Sequence, residues 1–170
     1  MQGDSVGELV DLVNKHGKVV KAAISRSEAH HHSNAYMQIV VVIIFNEAGQ
    51  ILVHKRAATK GVAPGAIDYV CGGICTGESP QDAARREAIE EVGVSPINLK
   101  IVRQGINEYD RYCYLLTGFT VHKPTQAPDL TEVAWARFHH IQDLLDAQAT
   151  GIMTFVDGFF EDLKFVRKLL

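Results

Sequence analysis

A surplus of positive charge is missing from this 170-residue chain, in which 17 Lys and Arg stand against 20 Asp and Glu for a formal net charge of -3. Nucleic-acid backbones are gripped by clustered Lys and Arg, so the balance leaves small-molecule phosphates, held by local positive charge, as the plausible anionic partner. Long apolar runs are missing too. The longest, 39–45, falls far short of the ~20 residues that span a bilayer, and its β-branched content marks a buried strand. Cysteine is scarce: Cys71, Cys75 and Cys113 are odd in number and form no Cys-x-x-Cys pair, which fits a reduced, cytoplasmic compartment. The N-terminus carries no succession of basic, apolar and small residues, so secretion is not indicated. With 46% hydrophobic and 22% charged residues, the composition is that of a globular protein with one ordinary core.

Hydrophobic patterning divides the chain into short strands and a few helices. Residues 8–13 and 18–25 read as a hairpin around the break at 14–17, and 28–34 as a polar loop. His30, His31 and His32 lie in that loop, where adjacent side chains diverge, so solvation is the better reading than a zinc cluster. Strands are expected at 36–45, 51–56, 67–71, 97–107, 111–122 and 133–139, and helices at 140–147 and 152–169. In the last of these, Phe155, Val156, Phe159, Leu163, Val166 and Leu170 recur at helical spacing, a stripe for core packing or a dimer interface. Strands interrupted by one long helix and ending in another define an α+β class with a mixed sheet between helices. The domain reading is an N-terminal hairpin extension (1–33), a core domain (34–150) and a C-terminal helix packed on it (151–170).

The stretch 72–94 carries the chemistry. Gly72, Glu78, Arg86, Glu87, Glu90, Glu91, Gly93 and Val94 stand in the order Gly-x5-Glu-x7-Arg-Glu-Ala-x-Glu-Glu-x-Gly-Val. Ser79 and Pro80 suit the first turn of a helix and Gly93 its end. On that helix Glu87, Glu90 and Glu91 share a face, while Ala84, Ala88, Ile89 and Val92 form an adjoining apolar stripe. Like charges at these spacings oppose the helix by roughly 1 kcal/mol in all. A hard cation answers that repulsion: magnesium takes oxygen ligands and keeps waters, which suits a few carboxylates plus a substrate phosphate. A merely solvated acidic face is the alternative, against which the glycine loop and the internal arginine count.

These positions resemble the signature of the Nudix hydrolases, with the whole box present. The resemblance implies an α/β/α sandwich and cleavage of a diphosphate linkage in a nucleoside diphosphate-linked or related small molecule, with magnesium or manganese. It implies that Glu87, Glu90 and Glu91 bind the metal with the Gly72 carbonyl, and that Arg86 orients a neighbouring glutamate such as Glu78. The proton acceptor stays open among Glu90, Glu91 and two carboxylates of a proline-bounded loop, Asp129 and Glu132. Arg56, Lys60 and Arg26 are the candidates for holding substrate phosphate.

The span 53–94 is also similar to isopentenyl-diphosphate isomerase, a Nudix-fold enzyme, with Cys71 at the position of its catalytic cysteine. Gly73 and Met37 stand where that family has metal-binding histidines, and Tyr109-Asp110-Arg111 replaces its later Glu-x-Glu. Intact acidic positions therefore favour hydrolysis, with Cys71 as a small buried hydrophobe. Isomerisation through Cys71 and a non-catalytic nucleotide-binding module are the alternatives. The expected partner is a small-molecule diphosphate, with no nucleic acid or membrane, and the protein a monomer or homodimer.

Overall fold

The computed structural model describes residues 9–29, 32–125 and 131–168. Strand β3 (Tyr36–Phe45) organises the sheet, since β1 (Leu9–Val13), β4 (Ile51–Arg56), β6 (Val70–Gly73) and β8 (Tyr112–Phe119) all pair with it. β8 runs parallel to it from Gln38 to Phe45, while β1, β6 and β4 take successive pieces antiparallel at residues 36–37, 39–42 and 45. β2 (Val19–Ser25) completes the expected hairpin with β1, followed by a short helix α1 (Arg26–Ala29) where a polar loop was expected. β5 (Ile67–Asp68) and β9 (Val133–His139) add to β4, and β7 (Ile97–Ile106) adds to β8.

Alternation along β3 splits the core into two layers. Val40, Val42 and Ile44 face α2 (Pro80–Val92), meeting Ala83, Ala84, Ala88 and Val92. Ile43, from the opposite face, joins Tyr69, Leu115, Leu144, Phe159, Leu163 and Val166 beneath α3 (Ile141–Thr150) and α4 (Phe159–Arg167). The result is an α+β sandwich with a mixed sheet between helices. No helix among the described residues is long and apolar enough to cross a membrane.

Three expectations need correction. The helix proposed for 152–169 begins only at Phe159, because Gly158 has φ 79 and the chain before it is bound elsewhere: Ile67 N–H donates to Thr154 O at 2.7 Å and Val156 N–H to Ile67 O at 3.1 Å. Leu170, assigned to its stripe, lies outside the described residues. The strand expected at 67–71 breaks at Tyr69, with β5 pairing β4 and β6 pairing β3. Ile89, assigned to the apolar stripe of α2, is 47% exposed, and Ala83 takes the inward position instead.

Candidate active site

Local chemistry fixes α2 where the site needs it. Ser79 accepts the Asp82 N–H at 3.1 Å, Pro80 occupies the first turn, and Gly93 ends the helix with φ 69. Alanines on the inward face let the helix lie close to the sheet, which brings its carboxylates against β6. An added Cβ at Gly72 would meet the Glu87 carboxylate, so the glycine lets that side chain lie directly against β6.

Arg86 clasps the assembly. Its Nε and one terminal nitrogen donate to the two oxygens of Glu78, each at 2.9 Å, and that same nitrogen donates to Gly73 O at 2.8 Å. The other terminal nitrogen donates to Glu87 at 2.8 Å and to Glu90 at 3.4 Å. A planar guanidinium has five N–H groups in fixed directions, and this geometry uses the fork to tie the glycine loop to the helix. Glu78 also accepts the Cys75 N–H at 3.1 Å. Burial opposes its charge, yet the hydrogen bonds from Arg86 and Cys75 hold its carboxyl below the usual range.

The three box glutamates differ sharply in environment. Glu90 is open to solvent, with 58% of its side chain exposed. Glu87 is nearly buried, and burial pushes its carboxyl up to about 7 against the pull of Arg86. Glu91 points inward, accepting the Cys71 N–H at 3.2 Å. Burial, then the charges of Glu87 and Asp68, push its carboxyl well above the ordinary value. Two desolvated acids side by side resist ionising together unless positive charge joins them.

The carboxylates do not converge on a single point. Among the described residues no group of three or more His, Cys, Asp or Glu is arranged to hold a metal ion, since Glu87 and Glu90 turn to Arg86 and Glu91 to the Cys71 amide. The donor set nevertheless fits a hard cation: oxygen ligands on one helix face, a glycine whose missing side chain admits Glu87, and buried acids short of positive charge.

The residues outside the box are distributed as follows. Lys60 and Glu132 meet each other, Nζ to Oε2 at 2.7 Å. Arg56 is engaged with Asp68 at 3.0 Å and with Val62 O at 3.1 Å, as a nearly buried ion pair. Arg26 lies against Gly73 and acts electrostatically on Glu87, so it does reach the glycine loop. Asp129, His30 and His31 fall outside the described residues. His32 pairs with Lys21 at 2.8 Å. Cys71 is partly buried, and burial followed by the charges of Asp68 and Glu91 pushes its thiol up, away from a reactive thiolate.

His54 was not singled out from sequence. It is 1% exposed, neither ring nitrogen has a hydrogen-bond partner among the described residues, and Nδ1 lies 3.8 Å from Glu91 Oε2. Burial, helped by Arg56 and Lys60, pushes its imidazole down to about 3, so it stays neutral. The signal available was its phase: in β4 it shares a face with Leu52, which packs on the α2 layer.

The fold and this site together define a Nudix protein: the NUDIX domain family matches residues 35–157, and the chain belongs to that family. Its relatives include the "Uncharacterized Nudix hydrolase YfcD" of Escherichia coli strain K12, 31% identical over 137 residues covering 75% of this chain and 73% of the relative. The isopentenyl-diphosphate Delta-isomerase of Mycolicibacterium vanbaalenii is 29% identical over 156 residues, covering 84% of each chain. Among solved structures, DR0079 from Deinococcus radiodurans superposes with a TM-score of 0.72 at 22% identity, over 92% of this chain and 98% of its own.

Proposed function

We propose that this protein hydrolyses the diphosphate linkage of a nucleoside diphosphate-linked or related small molecule. The observation that carries this is the Gly72–Glu87–Glu91 cluster: two buried acids, one held by Arg86 and the other by the Cys71 amide, with the Glu87 carboxylate lying against Gly72 where a side chain would displace it. Glu87, Glu90, Glu91 and the Gly72 carbonyl are the residues for a divalent cation, magnesium or manganese. When bound, such an ion neutralises phosphoryl charge and promotes attack by water.

The chain's own groups then have separable tasks. Arg86 fixes the glycine loop and Glu87 relative to each other, which sets where a diphosphate can approach. Glu90 and Glu91, on the same helix face, are the candidates within the box for the proton acceptor of the attacking water, Glu90 open to solvent and Glu91 turned inward against the Cys71 amide. Glu132 is 48% exposed and tied to Lys60, which weakens its claim to that role and leaves the pair as a closure across residues 57–60 and 131–132. The water oxygen bonds to one phosphorus as its bond to the bridging oxygen breaks, and the proton passes to the carboxylate. Arg26, against the glycine loop, and Arg56 and Lys60, paired with Asp68 and Glu132, are the residues for substrate phosphate.

Isomerisation is disfavoured by the same geometry. A thiol raised by burial is a poor proton carrier, and Arg26 covers Gly73 where the resemblance would need a histidine. A cytoplasmic setting belongs to the same reading, and three cysteines not joined in disulfides are compatible with it. The test is a panel of nucleotide, sugar-nucleotide and non-nucleotide diphosphates with magnesium or manganese, read in oxygen-18 water. Label in one phosphoryl product supports the proposal; no cleavage of any compound, or double-bond migration in isopentenyl diphosphate lost in Cys71→Ala, overturns it.

A further inference from the structure

Outside the box, a recess of about 440 Å³ opens between the turn joining β7 to β8 and the segment entering β3. Met37 and Ala29, at 9% and 4% exposure, give it an apolar base. Tyr36 and Tyr109 bring two aromatic rings, and Ser33 and Asn34 a hydroxyl and an amide. Arg111 lines the recess with one carboxylate neighbour, Asp110, and His32 on its edge holds Lys21.

Helix α1 runs from the recess to the box: Ala29 lines the recess, and Arg26, at the other end of the helix, lies against Gly73. β3 makes the same connection through backbone: Met37 is in the recess, and the next residue, Gln38, accepts the Ile74 N–H at 3.1 Å just after the glycine pair.

We propose that this recess is the specificity subsite, taking the nucleoside end of the substrate with Tyr36 and Tyr109 against the base and Arg111 and Arg26 toward the phosphate that carries the nucleoside. The inference rests on the diphosphate reading above and adds where the non-reacting half of the substrate sits.

Charge argues for an anion there. Burial holds the Arg111 guanidinium below its ordinary value against the pull of Asp110, with the charge of Arg26 adding to the effect, and an anionic phosphate beside Arg111 in the recess would offset it. Lining argues for a nucleoside. A hydrocarbon tail would desolvate Ser33, Asn34 and His32 without replacing their hydrogen bonds, whereas a base and ribose can pair with them and stack on tyrosine. The turn is also set in advance: Asn107 Oδ1 accepts the N–H groups of Tyr109 at 3.1 Å and Arg111 at 3.0 Å, and the Tyr109 hydroxyl bonds to Asp157. A site already shaped loses less entropy on binding.

Calorimetry with two non-hydrolysable probes in magnesium, α,β-methylene-ADP and methylenediphosphonate, decides the matter. The nucleotide should bind wild type roughly tenfold or more tighter than the bare diphosphonate, and Tyr109→Ala should remove roughly tenfold from the nucleotide alone. Arg111→Gln should weaken the nucleotide by about tenfold. Both side chains border solvent, and circular dichroism checks that the variants fold. Equal affinity for the two probes, or nucleotide affinity unchanged in both variants, overturns the subsite. If the binding pattern holds while no diphosphate is cleaved, the hydrolase proposal fails and the subsite stands.

Discussion

The two faces of the sheet are built from different materials. On the α2 face the helix contributes Ala83, Ala84, Ala88 and Val92, small residues that let it settle close and carry Glu87 and Glu91 out of water with it. On the opposite face Tyr69 and Phe159 stack at 4.1 Å, and Leu144, Leu163 and Val166 fill around them. The first arrangement gives up hydrophobic area to place charge, and desolvated acids cost stability. The second has large apolar side chains and no catalytic role assigned to it. Stability and chemistry are thus separated across one sheet, and substitutions should separate with them.

The largest effect should fall on the stabilising face. Phe159→Ala removes a ring that is 1% exposed, and should cost about 3–5 kcal/mol in denaturant unfolding while kcat per folded molecule stays near wild type. A matching loss of kcat would erase the division between the faces. Glu91→Gln should do the reverse, lowering kcat by about 100-fold or more while the melting temperature moves only a few degrees, since the amide oxygen can still accept from Cys71. A collapse of the fold in this variant would make Glu91 a structural residue. Arg86→Lys keeps the charge but loses the fork across Glu78, Gly73 and Glu87, so steady-state kinetics should show a drop of roughly 10-fold or more. Smallest of all, Glu132→Gln breaks a half-exposed pair worth about 0–1 kcal/mol, and the pH profile of kcat should keep its shape. A missing acidic limb in that profile would return the proton-acceptor role to Glu132.

What was legible in the sequence follows the same division. The helix of the box could be read to its ends because Ser79, Pro80 and Gly93 act locally, and β3 because its β-branched run is unambiguous. Position 89 misled because apolar residues are allowed at surfaces, and a one-residue rotation of the stripe hands the buried place to Ala83. Residues 152–158 carry helical spacing in their side chains, but their backbone groups are taken by Ile67, a partner some ninety positions earlier that no local pattern announces. Pairings of this kind, including Lys60 with Glu132 and Arg56 with Asp68, are decided by strand neighbours and not by sequence spacing. The box positions were readable as a set. Their unequal burial, which separates Glu90 from Glu87 and Glu91, required the sheet behind them.

The most direct test of the central claim counts bound manganese by electron paramagnetic resonance in wild type and in the Glu87→Gln, Glu91→Gln double variant, both confirmed folded. The account predicts specific manganese uptake by wild type and its loss in the double variant. Equal uptake by the two proteins, or none by wild type in the presence of a diphosphate, would contradict it.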